Sequence, residues 1–316
     1  MMQALSLRRA LALLIALFLP LAVAQAQTPS AGDAKSRKGE SAATGRGFLW
    51  EARKGDARLW FVGSIHVGQP GFAPPRPEIL QVVRNASSVV FEVDVFDAQR
   101  VGPIVQRLAY YPQGEPGLDQ RLDPALFKRI EALLARANVD MTRVVRMKPW
   151  TLANTLVILD AGRVGLSPAY STEALLNAAA RDAGKATGEL ETIELQLGLF
   201  DAAPAELQIA YLEQAVRGIE QGETERELRR IVTGWERRDN ADMEKLVATM
   251  RAATGPAERF VIDRIIEGRH PRMLERIDEL AASGKPHVVV VGALHFFGPN
   301  GLLEALKARG YRVRAL

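Results

Sequence analysis

His287-Val288-Val289-Val290-Val291-Gly292-Ala293-Leu294-His295 decides the fold. Four consecutive β-branched residues leave no polar face, so the strand they form is covered on both sides, as strands of parallel sheets are. The glycine ends the run, and a histidine follows three residues later. Far upstream, Trp60-Phe61-Val62-Gly63-Ser64-Ile65-His66 has the same order of parts: apolar strand, glycine, two residues, histidine. A third apolar run, Ser88-Val89-Val90-Phe91-Glu92-Val93, carries a carboxylate near its end, with Asp94 just beyond. These segments predict an α/β fold whose central mixed sheet is drawn from both ends of the chain. An α+β arrangement is the alternative.

Working outward, Phe48-Leu49-Trp50-Glu51-Ala52 reads as a strand that turns at Lys54-Gly55-Asp56 and returns over 58–63, with glycine supplying the positive φ. A proline-rich loop is expected over 70–77 and a short helix over 78–85. From about 98 to 282 the apolar spacing is helical. Within it, Asp123-Pro124 opens one helix with a cap and a first-turn proline, and Ser171 or Thr172 caps another that Gly184 stops. A short strand is expected near 185–188. Helices are expected over 205–220, 223–232, 240–250, 256–268, 271–282 and 302–308, with a final strand over 311–314. The ends supply the sheet and the middle supplies a helical layer. No solenoid-type repeat is present.

The first residues read as a cleavable signal peptide, 1–26. Arg8 and Arg9 precede an apolar run that Pro20 breaks, and small residues allow cleavage after Ala24 or Ala26. Residues 27–46 are small and polar and read as a disordered linker. The expectation is a periplasmic or secreted domain, 47–316, with its helical insertion at about 98–282 and no transmembrane segment after cleavage. The chain has no cysteine, which removes disulfides, thiolate nucleophiles and cysteine zinc sites together. Without the leader's two arginines, the 41 basic residues become 39 against 37 acidic ones. So even a balance of interspersed charges gives no electrostatic footprint for nucleic acid.

The chain has four histidines. A lone histidine at a strand end is ordinarily a hydrogen-bonded structural residue. The repeated context sets His66 and His295 apart, because the C-terminal edge of an open parallel sheet is where ligands bind. If the third strand runs parallel, it brings Glu92 and Asp94 to the same edge. Two imidazoles and a carboxylate make a first shell for a divalent metal ion of unspecified identity. Such a metal lowers the pKa of bound water, and a nearby glutamate serves as base. His287 and His270 read as structural. The His-Glu-x-x-His, Gly-x-Ser-x-Gly, phosphate-loop and dinucleotide fingerprints are absent.

In these residues the chain resembles the TraB/GumN family, also called TraB/PrgY/GumN, which includes the Tiki proteins of animals. The resemblance rests on an ordered series: Phe48-Leu49-Trp50-Glu51, Gly63-Ser64-Ile65-His66, Phe91-Glu92-Val93-Asp94, Lys148-Pro149-Trp150, Leu190-Glu191-Thr192 with Gln196-Leu197, Arg269, Val291 to His295, Gly301-Leu302-Leu303 and Gly310-Tyr311. It implies a fold related to the erythromycin-esterase-like and ChaN-like group. It also implies a metal-dependent hydrolase, peptidase first, since Tiki proteins are proteases with paired Gly-x-x-His motifs. By position, His66 and His295 fall on those histidines and Glu92 on the acidic strand end. Arg269 falls on the arginine of an Arg-Asn pair whose asparagine is His270 here. Glu191 is a further catalytic candidate, equally readable as a carboxylate at a helix N-terminus. In this scheme His66, His295 and Glu92 bind metal, Glu92 doubles as base, and Arg269 stabilises developing negative charge on a peptide or small-molecule substrate. Two other functions fit the same resemblance: a haem or small-ligand binding protein, and an accessory factor of cell-surface polysaccharide export.

Overall fold

The computed structural model describes residues 46–73 and 75–316. The expected signal peptide and linker lie outside the described residues, except for Arg46. Six strands form one sheet: β1 (Phe48–Lys54), β2 (Ala57–Ser64), β3 (Ser88–Phe91), β4 (Ala186–Glu189), β5 (His287–Gly292) and β6 (Arg312–Ala315). Their order across the sheet is β4-β3-β5-β2-β1-β6. The first four of these run parallel, whereas β1 is antiparallel to both β2 and β6. The sheet is therefore mixed and drawn from both chain ends, as the valine run and the Lys54-Gly55-Asp56 turn predict.

β5 lies between β3 and β2 and is buried along its whole length. Successive side chains on a strand point to opposite faces. Val289 and Val291 accordingly enter the larger apolar cluster, beneath the helical middle of the chain. Val288 and Val290 enter a smaller one with Ile79, Val83, Leu176 and Ala180. Those four come from the helices Pro77–Asn85 and Thr172–Asp182, which cover the second face. Continuous apolarity in the sequence is thus the record of two covered faces.

The helical middle is present and carries β4 as its one short strand. Asp123 caps Pro124–Arg136 by accepting from the Ala125 and Leu126 N–H groups, and Ser171 caps Thr172–Asp182. Four elements differ from expectation, each for a local reason. The 70–77 stretch is not all loop: Pro70–Phe72 forms one 3₁₀ turn, and Pro77 opens the helix Pro77–Asn85, where a missing N–H costs nothing. The helix expected over 223–232 runs on as Glu223–Arg237. Trp235 is the reason. Its buried indole N–H donates to the Gly63 carbonyl at 2.8 Å, and its ring stacks on Phe72. The 256–268 helix is three pieces: α over Pro256–Phe260, π over Val261–Ile266 and 3₁₀ over Glu267–Arg269. A Cβ at Gly268 would lie 2.4 Å from the Asp263 carbonyl oxygen, so only glycine fits this irregular turn. Finally, β3 ends at Phe91, short of 93. Among the described residues no helix is long and apolar enough to cross a membrane.

Phe61 is fully buried in β2 and meets Phe296 edge-on. Phe61→Ala should destabilise the protein by about 3–5 kcal/mol in equilibrium urea unfolding. A loss below about 1 kcal/mol would mean that this part of β2 is not packed as described.

Candidate functional site

The C-terminal ends of β3, β5 and β2 lie side by side, so the residues that follow them meet. After β2, the chain is held by two hydrogen bonds at Ile65. Its N–H donates to the Thr172 hydroxyl at 3.1 Å, and its carbonyl accepts from the Thr172 N–H at 3.0 Å. Gly68 then exchanges backbone hydrogen bonds with Ser167, so close to the chain that a Cβ would lie 2.1 Å from the Tyr170 carbonyl oxygen. His66 sits on this strapped loop with its side chain 29% exposed. After β5, the 3₁₀ turn Ala293–Phe296 carries His295 back over the sheet edge. After β3, Glu92 is still tied to the ladder by its N–H, which donates to the Val290 carbonyl at 2.7 Å.

The three converge on Gly292. An atom placed where a side chain of Gly292 would begin lies 3.4 Å from Glu92 Oε2, from His66 Nε2 and from the His295 ring carbon Cδ2. Any larger residue would fill this space, which explains the glycine of the Val-Gly-Ala-Leu-His stretch.

Each group is oriented by a buried partner. The Glu92 carboxylate accepts from Arg269 Nη2 at 2.7 Å, Gln196 Nε2 at 3.0 Å and the Gly292 N–H at 3.0 Å. Burial alone would raise its pKa. Arg269, His295, His66 and the Gly292 N–H reverse that and hold it well below the usual carboxylate range. Arg269, only 6% exposed, donates four of the five guanidinium N–H bonds: two to Glu191 Oε2, one to Glu92 and one to the Ile265 carbonyl. It is a clamp on Glu92, with little left to offer a developing oxyanion. Glu191 is wholly buried, and its other oxygen, Oε1, has no hydrogen-bond partner among the described residues. Burial outweighs Arg269 there and pushes its pKa up.

The histidines differ. His66 Nδ1 lies 2.8 Å from Glu173 Oε1, a carboxylate in the first turn of the helix Thr172–Asp182. Burial works against the charge on His66, but Glu173, with help from Glu92, raises its pKa to about 9. His295 is buried away from any such close partner, and burial holds its pKa well below 6.5. Its Nδ1 lies 3.0 Å from His270 Nε2, while His270 Nδ1 lies 2.8 Å from the Asn300 carbonyl. A carbonyl only accepts, so the proton of His270 is on Nδ1 and its Nε2 accepts from His295 Nδ1–H. That leaves a lone pair on His295 Nε2, which lies 3.8 Å from Glu92 Oε1.

Of the residues singled out from sequence, His66, Glu92, His295 and Arg269 line one cavity, and Glu191 stands behind Arg269. Asp94 is not with them. Because β3 ends at Phe91, strand alternation does not carry it to Glu92's side; its carboxylate accepts from the Phe96 N–H and the Thr187 hydroxyl. His287 is structural, set between the Ser88 and Ser283 hydroxyls. His270, read from sequence as structural, is buried in direct contact with His295. Glu173 was missed as a site residue. It follows a capping serine and looks like an ordinary first-turn carboxylate; its burial beside a histidine 107 residues away is a tertiary fact.

The family model described as TraB/PrgY/gumN family matches residues 48–315. The chain belongs to that family. Relatives include an uncharacterized protein, YbaP, of Escherichia coli (strain K12), 24% identical over an alignment of 275 residues that covers 82% of this chain and 97% of YbaP. An uncharacterized protein of Treponema pallidum (strain Nichols) is 23% identical over an alignment of 273 residues that covers 83% of this chain and 80% of its own. No solved structure matches. The family match spans both sheet-forming ends and the helical middle, and so every segment that meets at Gly292.

The raised pKa of His66 has a consequence for stability. A folded-state value of about 9 against 6.5 in the unfolded chain means that the stabilisation is complete below about pH 6.5 and disappears as pH rises through about 9. Glu173→Gln removes the charge that sustains it. The His66 ring resonance, followed by NMR, should then titrate at least one pH unit lower than in the wild type; an unmoved titration would dissociate Glu173 from His66.

Proposed function

We propose that the protein is a hydrolase of an amide or ester carbonyl, peptidase first, acting outside the cytoplasm after removal of its leader. The observation that carries this is the convergence of His66, Glu92 and His295 on the open space beside Gly292, with each ring held at Nδ1 by a buried group, His66 meeting that space through Nε2 and His295 through its adjoining Cδ2 edge. His295 presents a lone pair and takes a proton from the attacking water. Glu92, 3.8 Å away and ionised, stabilises the imidazolium that forms. His66, charged and backed by Glu173, donates from Nε2 to the carbonyl oxygen or the leaving group. Arg269 and Glu191 act on the reaction by fixing Glu92.

A divalent ion is the second reading. What favours it is the Nδ1 anchoring of both histidines, the arrangement that orients imidazole ligands for a metal. The donor types suit zinc and its neighbours. The positions do not fit as they stand: among the described residues no three histidine, aspartate or glutamate groups are close enough to hold an ion. Glu92 is also taken up by three N–H donors, which a cation would have to displace.

His295→Ala and Glu92→Gln should each lower turnover of a responsive peptide or ester at least about 100-fold, the usual scale for a general acid or base, with the fold retained by circular dichroism. Full activity in His295→Ala would remove this mechanism. Metal content of the purified protein decides the second reading: about one equivalent, lost in both His66→Ala and His295→Ala, would establish the ion, and equal content in wild type and variants would remove these histidines as its ligands.

A further inference from the structure

The cavity above Gly292 has two unlike halves. Its floor is the polar group of His66, Glu92 and His295 at the strand ends. Its walls are aliphatic, and they come from separate helices: Val157 and Ile158 from Pro149–Arg163, Leu228 and Ile231 from Glu223–Arg237, and Ile265 and Ile266 from the π-helical turn Val261–Ile266. Among the described residues no phenyl, phenol or indole ring lines it. The π turn has a part in this. It holds two consecutive isoleucines that line the wall, while the Ile265 carbonyl accepts from Arg269 at the polar end. The space is about 100 Å³.

These features select a ligand. Sugars and nucleobases are recognised by stacking on aromatic rings, and none is available here. A short aliphatic chain ending in a carbonyl matches both halves. The chain lies among the isoleucines and valines, and the carbonyl reaches His66 and the space beside Gly292. We infer that this cavity binds the aliphatic acyl part of its substrate, a chain of about three to six carbons, with the carbonyl at the histidine–glutamate floor. The inference rests on the hydrolase proposal for what happens to that carbonyl, but not for what fills the walls.

Ile158 and Ile231 are half-buried, so a larger residue at either position fills the chamber without breaking the core. The experiment titrates the full folded protein with neutral primary amides, acetamide, butanamide and hexanamide, followed by NMR, with benzamide as the aromatic control. Each added methylene should tighten binding about fourfold. Ile231→Trp and Ile158→Trp, with melting checked against wild type, should weaken hexanamide at least about tenfold. Binding that is independent of chain length, benzamide binding more tightly than hexanamide, or tryptophan variants that bind like wild type would each overturn the inference. Turnover is scored separately on the matching anilides. Chain-length-dependent binding with no turnover upholds the acyl chamber and removes the hydrolase; turnover with no chain-length preference removes the chamber and upholds the hydrolase.

Discussion

The site depends on one buried cation. Arg269 lies between Glu92 and Glu191, with almost no access to water, and its hydrogen bonds join the end of β3, the segment after β4 and the turn before the helix His270–Ala282. Taking three charges out of solvent is costly, and only close, well-directed pairing offsets it. One guanidinium cannot serve two carboxylates equally. Glu92 also has the Gly292 N–H and two histidines nearby and stays ionised, while Glu191 has one oxygen unpartnered among the described residues and a raised pKa. The same clamp therefore produces a firmly charged carboxylate at the cavity floor and a reluctant one behind it.

Around Glu92 the two histidines are driven apart. They stand over the same glycine, yet the Glu173 carboxylate against Nδ1 of one and deep burial of the other give opposite protonation. Opposed environments for like groups are how an active site assigns acid and base. The backbone supports this with unusual economy of space. Gly68 and Gly268 each sit where a Cβ would collide with a backbone carbonyl, and at Gly292 a Cβ would take up the space that the site residues face.

Much of this was legible beforehand. The valine run announced a strand covered on both faces because alternation leaves no other way to bury four β-branched residues in a row. The repeated strand-glycine-x-x-histidine pattern located both imidazoles, since parallel neighbours must end at the same edge. The irregular elements were less legible. Trp235 extends its helix because its indole finds the Gly63 carbonyl, 172 residues away, and the π turn at Val261–Ile266 follows from packing that no apolar spacing encodes.

The sequence by itself determined the strands and the helical middle and brought His66, Glu92 and His295 to one sheet edge, because these reside in local pattern and spacing, while the family and Arg269 came from the ordered resemblance. Only the tertiary structure decided what those residues do for one another. It paired Glu173 with His66 and His270 with His295, and it turned Arg269 from a free cation into a clamp. It also sent Asp94 away and lined the chamber with aliphatic walls. Protonation, orientation and cavity shape depend on distances of a few ångströms between segments far apart in the chain, and those distances exist only once the sheet has closed and the helices have packed on it.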